Sequence, residues 1–189
     1  MQRSVAFSCP LRVYTENMTE RQKFFVIQDL GLFELRAYEP CVIAQISMPV
    51  DYQSATSGAF RYLFNYISKG NATATPIAMT APVIASTKSD LKSDQWHISF
   101  VMPAGSSLKD LPIPNDSKVV LKEVAQEKCV ALSFKGRAST EVCERKESEL
   151  RALAKEAGLA LSTETRICRF DPPFKPGFMM YNEVVIPLA

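Results

Sequence analysis

A single histidine, His97, and five cysteines, at 9, 41, 129, 143 and 168, are the imidazole and thiol groups this chain offers for metal or nucleophilic chemistry. No Cys-x-x-Cys occurs, so the spacing of a zinc site is missing. A serine nucleophile would have to use His97 as its base, and no Gly-x-Ser-x-Gly turn is present. Asp51, Glu39 and Glu183 are candidate acids, but no two carboxylates share an evident site. Glu183 follows Asn182 at a strand start and reads as one half of a structural salt bridge. No glycine-rich loop could cradle a phosphate. The residues left to do work are apolar and aromatic. Phe60, Leu63 and Phe64 lie on one helical stretch. Residues 171–180 carry three prolines, Phe174, Phe178 and two methionines. Connecting segments are normally polar, so this one reads as a lid or partner surface, or else as a segment packed back on its own domain.

Those groups need elements to hold them. Asp51 can accept the free amides of a first helical turn. Ala59, Phe60, Leu63, Phe64 and Ile67 then recur with the period of an amphipathic helix, and Gly70 supplies a left-handed stop. Residues 24–27 read as a strand turned at Asp29-Leu30-Gly31, and Phe33, Leu35 and Ala37 alternate as a second. Residues 41–48 form a longer apolar strand, and 76–86 an extended segment bent at Pro82. Trp96, Ile98, Phe100 and Met102 share one face of a further strand, and His97, Ser99 and Val101 the other. A Pro-, Gly- and Ser-rich connector covers 103–117. A second helix starts at Thr140 as its cap, turns Val142, Leu150, Leu153 and Ala154 inward and stops at Gly158.

The halves echo each other. Residues 37–44 (AYEPCVIA) return as 125–132 (AQEKCVAL), with Ala37/Ala125, Glu39/Glu127, Cys41/Cys129 and Val42/Val130 identical at an offset of 88 (125 − 37). Gly70 and Gly158 keep the same offset. Half-repeats of about 24–103 and 118–188 predict one domain over 23–189 behind a flexible tail, 1–22, with the seam between the halves as a place for a ligand.

Composition narrows the class. The 189 residues are 47% hydrophobic and 22% charged, with a net charge of +2, too small to imply a nucleic-acid partner. No stretch approaches the ~20 apolar residues of a membrane span, nor the core of a secretory signal. Unpaired cysteines in apolar strands point to an intracellular, reducing compartment. Arg3, Arg12 and the absence of acids before Glu16 are faintly transit-peptide-like, leaving cytoplasm or plastid open.

The order of several motifs carries a family resemblance. Ile77-Ala78-Met79-Thr80-Ala81-Pro82-Val83 is followed by a strand closed by Met102-Pro103, then Pro112-Ile113-Pro114, Ser133-Phe134-Lys135-Gly136 and finally Asp171-Pro172-Pro173 with Asn182-Glu183-Val184. From about Phe25 to Leu188 the chain resembles the SOUL/haem-binding-protein family. The resemblance implies an α+β fold: a distorted β-barrel of two antiparallel sheets, flanked by two main helices and related by a pseudo-twofold. It also implies non-covalent binding of haem or another tetrapyrrole, for carriage, buffering or signalling. The site it implies has the first helix as wall and the Pro-Pro segment as lid. Phe60, Leu63, Phe64, Met79, Phe174, Lys175, Phe178 and Met179 are the candidate ligand contacts, with Lys175 toward a propionate. His97 is the candidate axial ligand, and Met79, Met179, Tyr181 and Cys168 are other conceivable ones. The family's basic helix positions are Ser57, Tyr62 and Asn65 here, and its Arg-Arg before Asn-Glu is Met180-Tyr181. Two other classes remain open. One is an enzyme acting on a tetrapyrrole, by oxidative ring opening or metal removal. The other is a protein-interaction module using the 171–181 segment.

Overall fold

The computed structural model describes residues 19–189. The tail expected over 1–22 lies outside the described residues up to 18, as do Cys9, Arg3 and Arg12. In chain order the elements are β1 (Glu20–Arg21), β2 (Phe24–Asp29), β3 (Glu34–Tyr38), β4 (Cys41–Met48), α1 (Tyr52–Ser68), β5 (Thr80–Ala81), β6 (Val83–Thr87), β7 (Trp96–Val101), β8 (Val120–Val124), β9 (Glu127–Lys135), α2 (Thr140–Glu156), β10 (Thr165–Arg169) and β11 (Tyr181–Pro187). β1 pairs in parallel with β5, which ties residues 20–21 to the domain.

Nine strands form one antiparallel sheet, in the order β2-β3-β9-β11-β10-β6-β7-β4-β8, curled into a half-barrel. Two sheets were expected. The difference lies at β6 and β10, which pair in unbroken register from Val83↔Arg169 to Thr87↔Thr165. Backbone hydrogen bonds at this β6–β10 seam therefore join β2-β3-β9-β11-β10 on one side to β6-β7-β4-β8 on the other, and no slot runs through it. Partners in this register share a face, and faces alternate along the strands. Each side of the seam thus carries its own set of side chains.

The alternation of β7 is as read. Trp96, Ile98, Phe100 and Met102 join the core under the helices, and Val101 joins a smaller cluster on the opposite, helix-free face. The helix-side core is completed by Tyr52, Ala55, Ala59, Leu63, Tyr66 and Ile67 of α1, and by Cys143 and Leu150 of α2. Ala55 and Ala59 are fully buried, and their small size lets α1 lie close to the sheet.

The helix ends follow from their caps. The Asp51 carboxylate accepts from Gln53 N at 3.0 Å and Ser54 N at 3.1 Å. The cap of α2 is Ser139, one residue before the expected Thr140, with its hydroxyl accepting from Val142 N at 3.4 Å. Gly158, the expected stop of α2, is left-handed (φ +72°). Gly70 is not, and its role is steric: a Cβ there would lie 2.3 Å from Asn65 Nδ2. The buried Asn71 amide then pins the chain. Its Nδ2 donates to Tyr66 O (2.9 Å) and Thr75 O (2.8 Å), and its Oδ1 accepts from Thr75 N (3.2 Å). α1 and α2 each span 17 residues, with starts and ends both 88 apart (140 − 52, 156 − 68).

Among the described residues the four cysteines are unpaired, and no helix is long and apolar enough to cross a membrane.

Candidate ligand groove

On the helix side of the seam lies a groove of about 560 Å³. Its floor is Val83 and Arg169, the first residue pair of the β6–β10 register. One wall is the N-terminal half of α1, from Tyr52 to Phe60, and the other is the approach to α2, from Arg137 to Ser139. Asp171, Pro173 and Met180 close it from the segment before β11. The volume falls in the range of about 300–1,000 Å³ usual for small-molecule sites.

The α1 wall is polar at Gln53, Thr56 and Ser57 and turns aromatic at its far end for a local reason. The buried stripe of α1 turns Phe60 and Phe64, one helical turn apart, to its outer edge, where they are 38% and 45% exposed. Their rings stack at 5.6 Å with planes 13° apart, and Phe60 also meets Phe100 edge-on at 5.6 Å. The result is a flat apolar ridge leading into the groove.

The rim is cationic. Arg137 and Arg169 line the groove, and neither guanidinium makes a salt bridge or side-chain hydrogen bond among the described residues. The N-termini of both helices open here, adding the positive ends of their dipoles. Asp171 is the one acid on the lining, and it is engaged: Lys175 Nζ donates to it at 2.7 Å and Tyr181 N at 2.6 Å. Burial opposes its charge, but these hydrogen bonds outweigh burial and hold its carboxyl below the usual range. Arg137 lies across Gly177, where a Cβ would come within 2.7 Å of its Nε, so the segment before β11 rests on the approach to α2.

The residues expected from sequence divide in three. Phe60 lines the groove and Phe64 extends its wall. Phe174, Phe178 and Met179 stand out at 87%, 78% and 51% exposure on the segment above, although that segment is anchored to the domain through Gly177 against Arg137 and through the buried Met180. Leu63, Met79, Lys175 and His97 stand elsewhere or are engaged. Leu63 is fully buried beneath the aromatic ridge, because its position on α1 points into the core. Met79 is half exposed ahead of β5 and is not part of the lining. Lys175 is held by Asp171. His97 alternates onto the helix-free face of β7, away from the groove, where its Nδ1 meets Ser47 Oγ at 2.9 Å. Burial and Lys122 lower its pKa. Arg137 and Arg169 were missed, although both flank motifs read from the sequence, Lys135-Gly136 and Asp171-Pro172-Pro173.

The lining suits an apolar ring system bearing carboxylates. Its residues of iron-ligating type are Tyr52 and Met180. The Tyr52 hydroxyl is the one buried side-chain polar atom without a hydrogen-bond partner among the described residues.

On the opposite face of the same seam is a second cavity, a cleft of about 590 Å³. Ile84 and Cys168, the next residue pair of the register, form its floor. Here Glu183 finds the salt-bridge partner its sequence position called for. Arg36 of β3 donates to its two oxygens at 2.8 and 3.0 Å, and the Tyr181 hydroxyl donates at 2.5 Å. Burial works against the charge on Arg36, yet the Glu183 hydrogen bonds hold its pKa above the ordinary value.

No curated protein matched the chain. Among solved structures, the C-terminal domain of EcmrR is similar over 85% of this chain and 99% of its own, with a TM-score of 0.66 at 12% identity. A hydrolase from Listeria innocua is similar over 83% of this chain and 91% of its own (TM-score 0.58, 14% identity). SAV2435 bound to tetraphenylphosphonium is similar over 83% and 93% (TM-score 0.51, 12% identity). At such identities these likenesses speak to fold alone. The sequence model of the family described as SOUL heme-binding protein matches residues 19–187, and the chain belongs to that family.

Proposed function

We propose that the groove beside α1 binds haem or another tetrapyrrole without a covalent bond, for carriage, buffering or signalling. The observation that carries this reading is the pairing of a flat apolar wall, Phe60 with Phe64, and two guanidiniums without acidic partners, Arg137 and Arg169. A tetrapyrrole carrying propionates has the matching form, an apolar plate with acids on one edge. Burying several hundred Å² of such a plate at about 25 cal/mol per Å² offsets the cost of ordering the segment above it. Arg137 and Arg169 take the part first expected of Lys175, whose charge Asp171 already offsets. Phe174, Phe178 and Met179 supply a lid that folds down on the ring's outer face. Met180 or Tyr52 would be the residue to hold the iron of a bound haem, which would supply redox or ligand-exchange chemistry; the chain's own work is to hold the plate and neutralise its acids. The same reading takes 24–103 and 118–188 as equivalent halves, supported by the 88-residue offset shared by both ends of both helices.

Titration with haemin tests this. The expected result is a shifted Soret band that saturates at one ring per chain, with about tenfold weaker binding for Phe60→Ala. An unaltered spectrum with haemin and with metal-free protoporphyrin would end the proposal. Recovery of the ring unchanged after incubation with a reductant supports binding over turnover.

A further inference from the structure

A site for an organic cation needs a buried carboxylate, aromatic faces around it and little water. The helix-free cleft has the first two of these. Glu183 is 3% exposed. Phe24, Tyr38, Phe170 and Tyr181 line the same cavity, from β2, β3, the position just after β10, and β11. The place a cation would occupy is filled. The Arg36 guanidinium meets Glu183 through two nitrogens, Glu34 Oε2 at 2.7 Å, the Tyr38 hydroxyl at 3.1 Å and the Phe24 ring face at 4.1 Å. The remaining aromatic faces are covered as well: Arg21 lies 4.9 Å from the Phe170 centroid and 5.7 Å from that of Tyr181.

We infer that this cleft is a cation cage whose occupant is the chain's own Arg36, and that Arg36 is the residue that keeps lipophilic cations out of it. The inference stands apart from the tetrapyrrole reading, since it concerns the opposite face of the sheet and the opposite charge. Three observations carry it. Arg36 is 5% exposed although it is an arginine, so the fold has spent a buried charge here. Its contacts come from a carboxylate pair and a π face together, the full set that would recognise a free guanidinium or onium group. The cavity beside it remains open at about 590 Å³, so removing the side chain would leave a carboxylate without its counter-charge next to space a ligand could enter.

Tetraphenylphosphonium serves as the probe, read by calorimetric titration and thermal shift on the full chain. The wild type should show no saturable binding. Arg36→Ala should bind the probe at least tenfold tighter than wild type, with a raised Tm, and the double variant R36A/E183Q should lose that gain. Because Arg36→Ala strands a buried charge, it is also refolded with ethylguanidinium, a free copy of the missing head group. A Tm raised by ethylguanidinium in Arg36→Ala but not in R36A/E183Q supports the cage. Wild type binding the probe as tightly as Arg36→Ala would overturn it. So would a folded Arg36→Ala that responds to neither cation more than R36A/E183Q does. An Arg36→Ala that stays unfolded in ethylguanidinium while R36A/E183Q folds would do the same.

Discussion

The two sides of the β6–β10 seam make an instructive pair. They share one stretch of backbone, and their cavities differ by only about 30 Å³ (590 − 560). Their chemistry is opposite. On the helix side, Arg137 and Arg169 stand without acidic partners over an apolar wall, and Asp171 is the acid already spent. On the helix-free side, Arg36 and Glu183 consume each other in the interior. Unsatisfied charge at a rim attracts a ligand, whereas satisfied charge in a core holds the protein and repels competitors for its partners. Size alone does not separate a ligand site from a structural one here; the tally of unused donors does.

The largest effect expected from disturbing this contrast is on the helix-free side. Glu183→Gln takes from the buried Arg36 the carboxylate it meets through two nitrogens and leaves it only Glu34 at 2.7 Å, and urea unfolding should show a loss of about 3 kcal/mol. Haemin affinity of the folded fraction should stay unchanged. Next come two neighbours on α1, one inside the buried stripe and one at its edge. Leu63→Ala should lose about 3 kcal/mol of stability through a core cavity. Phe60→Ala, a partly exposed ring, should cost less than about 1 kcal/mol of stability while carrying the tenfold loss in tetrapyrrole binding. A result with these reversed would put the ligand wall on the wrong residue.

Much of the fold was legible because periodicity and caps are local. Asp51, Gly158 and the alternation of Trp96, Ile98 and Phe100 are read within a few residues of themselves. The seam was not, because β6 and β10 are about 80 residues apart and no local signal says that two strand groups share a hydrogen-bonded edge. The groove was half legible. Phe60 and Phe64 belong to a visible helical pattern, but Leu63 belongs to the same pattern, and only the sheet beneath decides which of them is covered. Lys175 was read as available because its partner, Asp171, offers no sequence sign of being bonded. Arg137 and Arg169 are ordinary surface arginines in the sequence; what marks them is the lack of an acid within reach, which is a property of the packed chain. Arg36 looked like the polar side of a half-buried strand until Glu183, 147 residues away, came opposite it.

A smaller effect should separate the arginines of the two faces. Arg137→Ala and Arg169→Ala should each weaken binding of a propionate-bearing tetrapyrrole about fivefold, roughly 1 kcal/mol, because both guanidiniums are partly solvated. Neither should weaken binding of the corresponding dimethyl ester, which has no acids to pair. The smallest effect is in alkali. Burial and Glu183 push the Tyr181 phenol up to about 12. A phenol whose pKa is raised on folding holds its proton more firmly in the native state. Its contribution is therefore whole below about pH 10 and fades as pH rises toward 12. Phenolate absorbance should show this late titration, and Glu183→Gln should bring it earlier.

The most direct measurement of the central claim is the map of amide shifts when zinc protoporphyrin, a diamagnetic ring, is added to the full chain. Ring-current shifts should gather on residues 53–60, 137–139 and 171–180, with β3 and the helix-free face of the seam silent. Shifts centred on Arg36, Tyr38 and Glu183 instead, or no shifts at saturating ring, would contradict the assignment of the groove as the tetrapyrrole site.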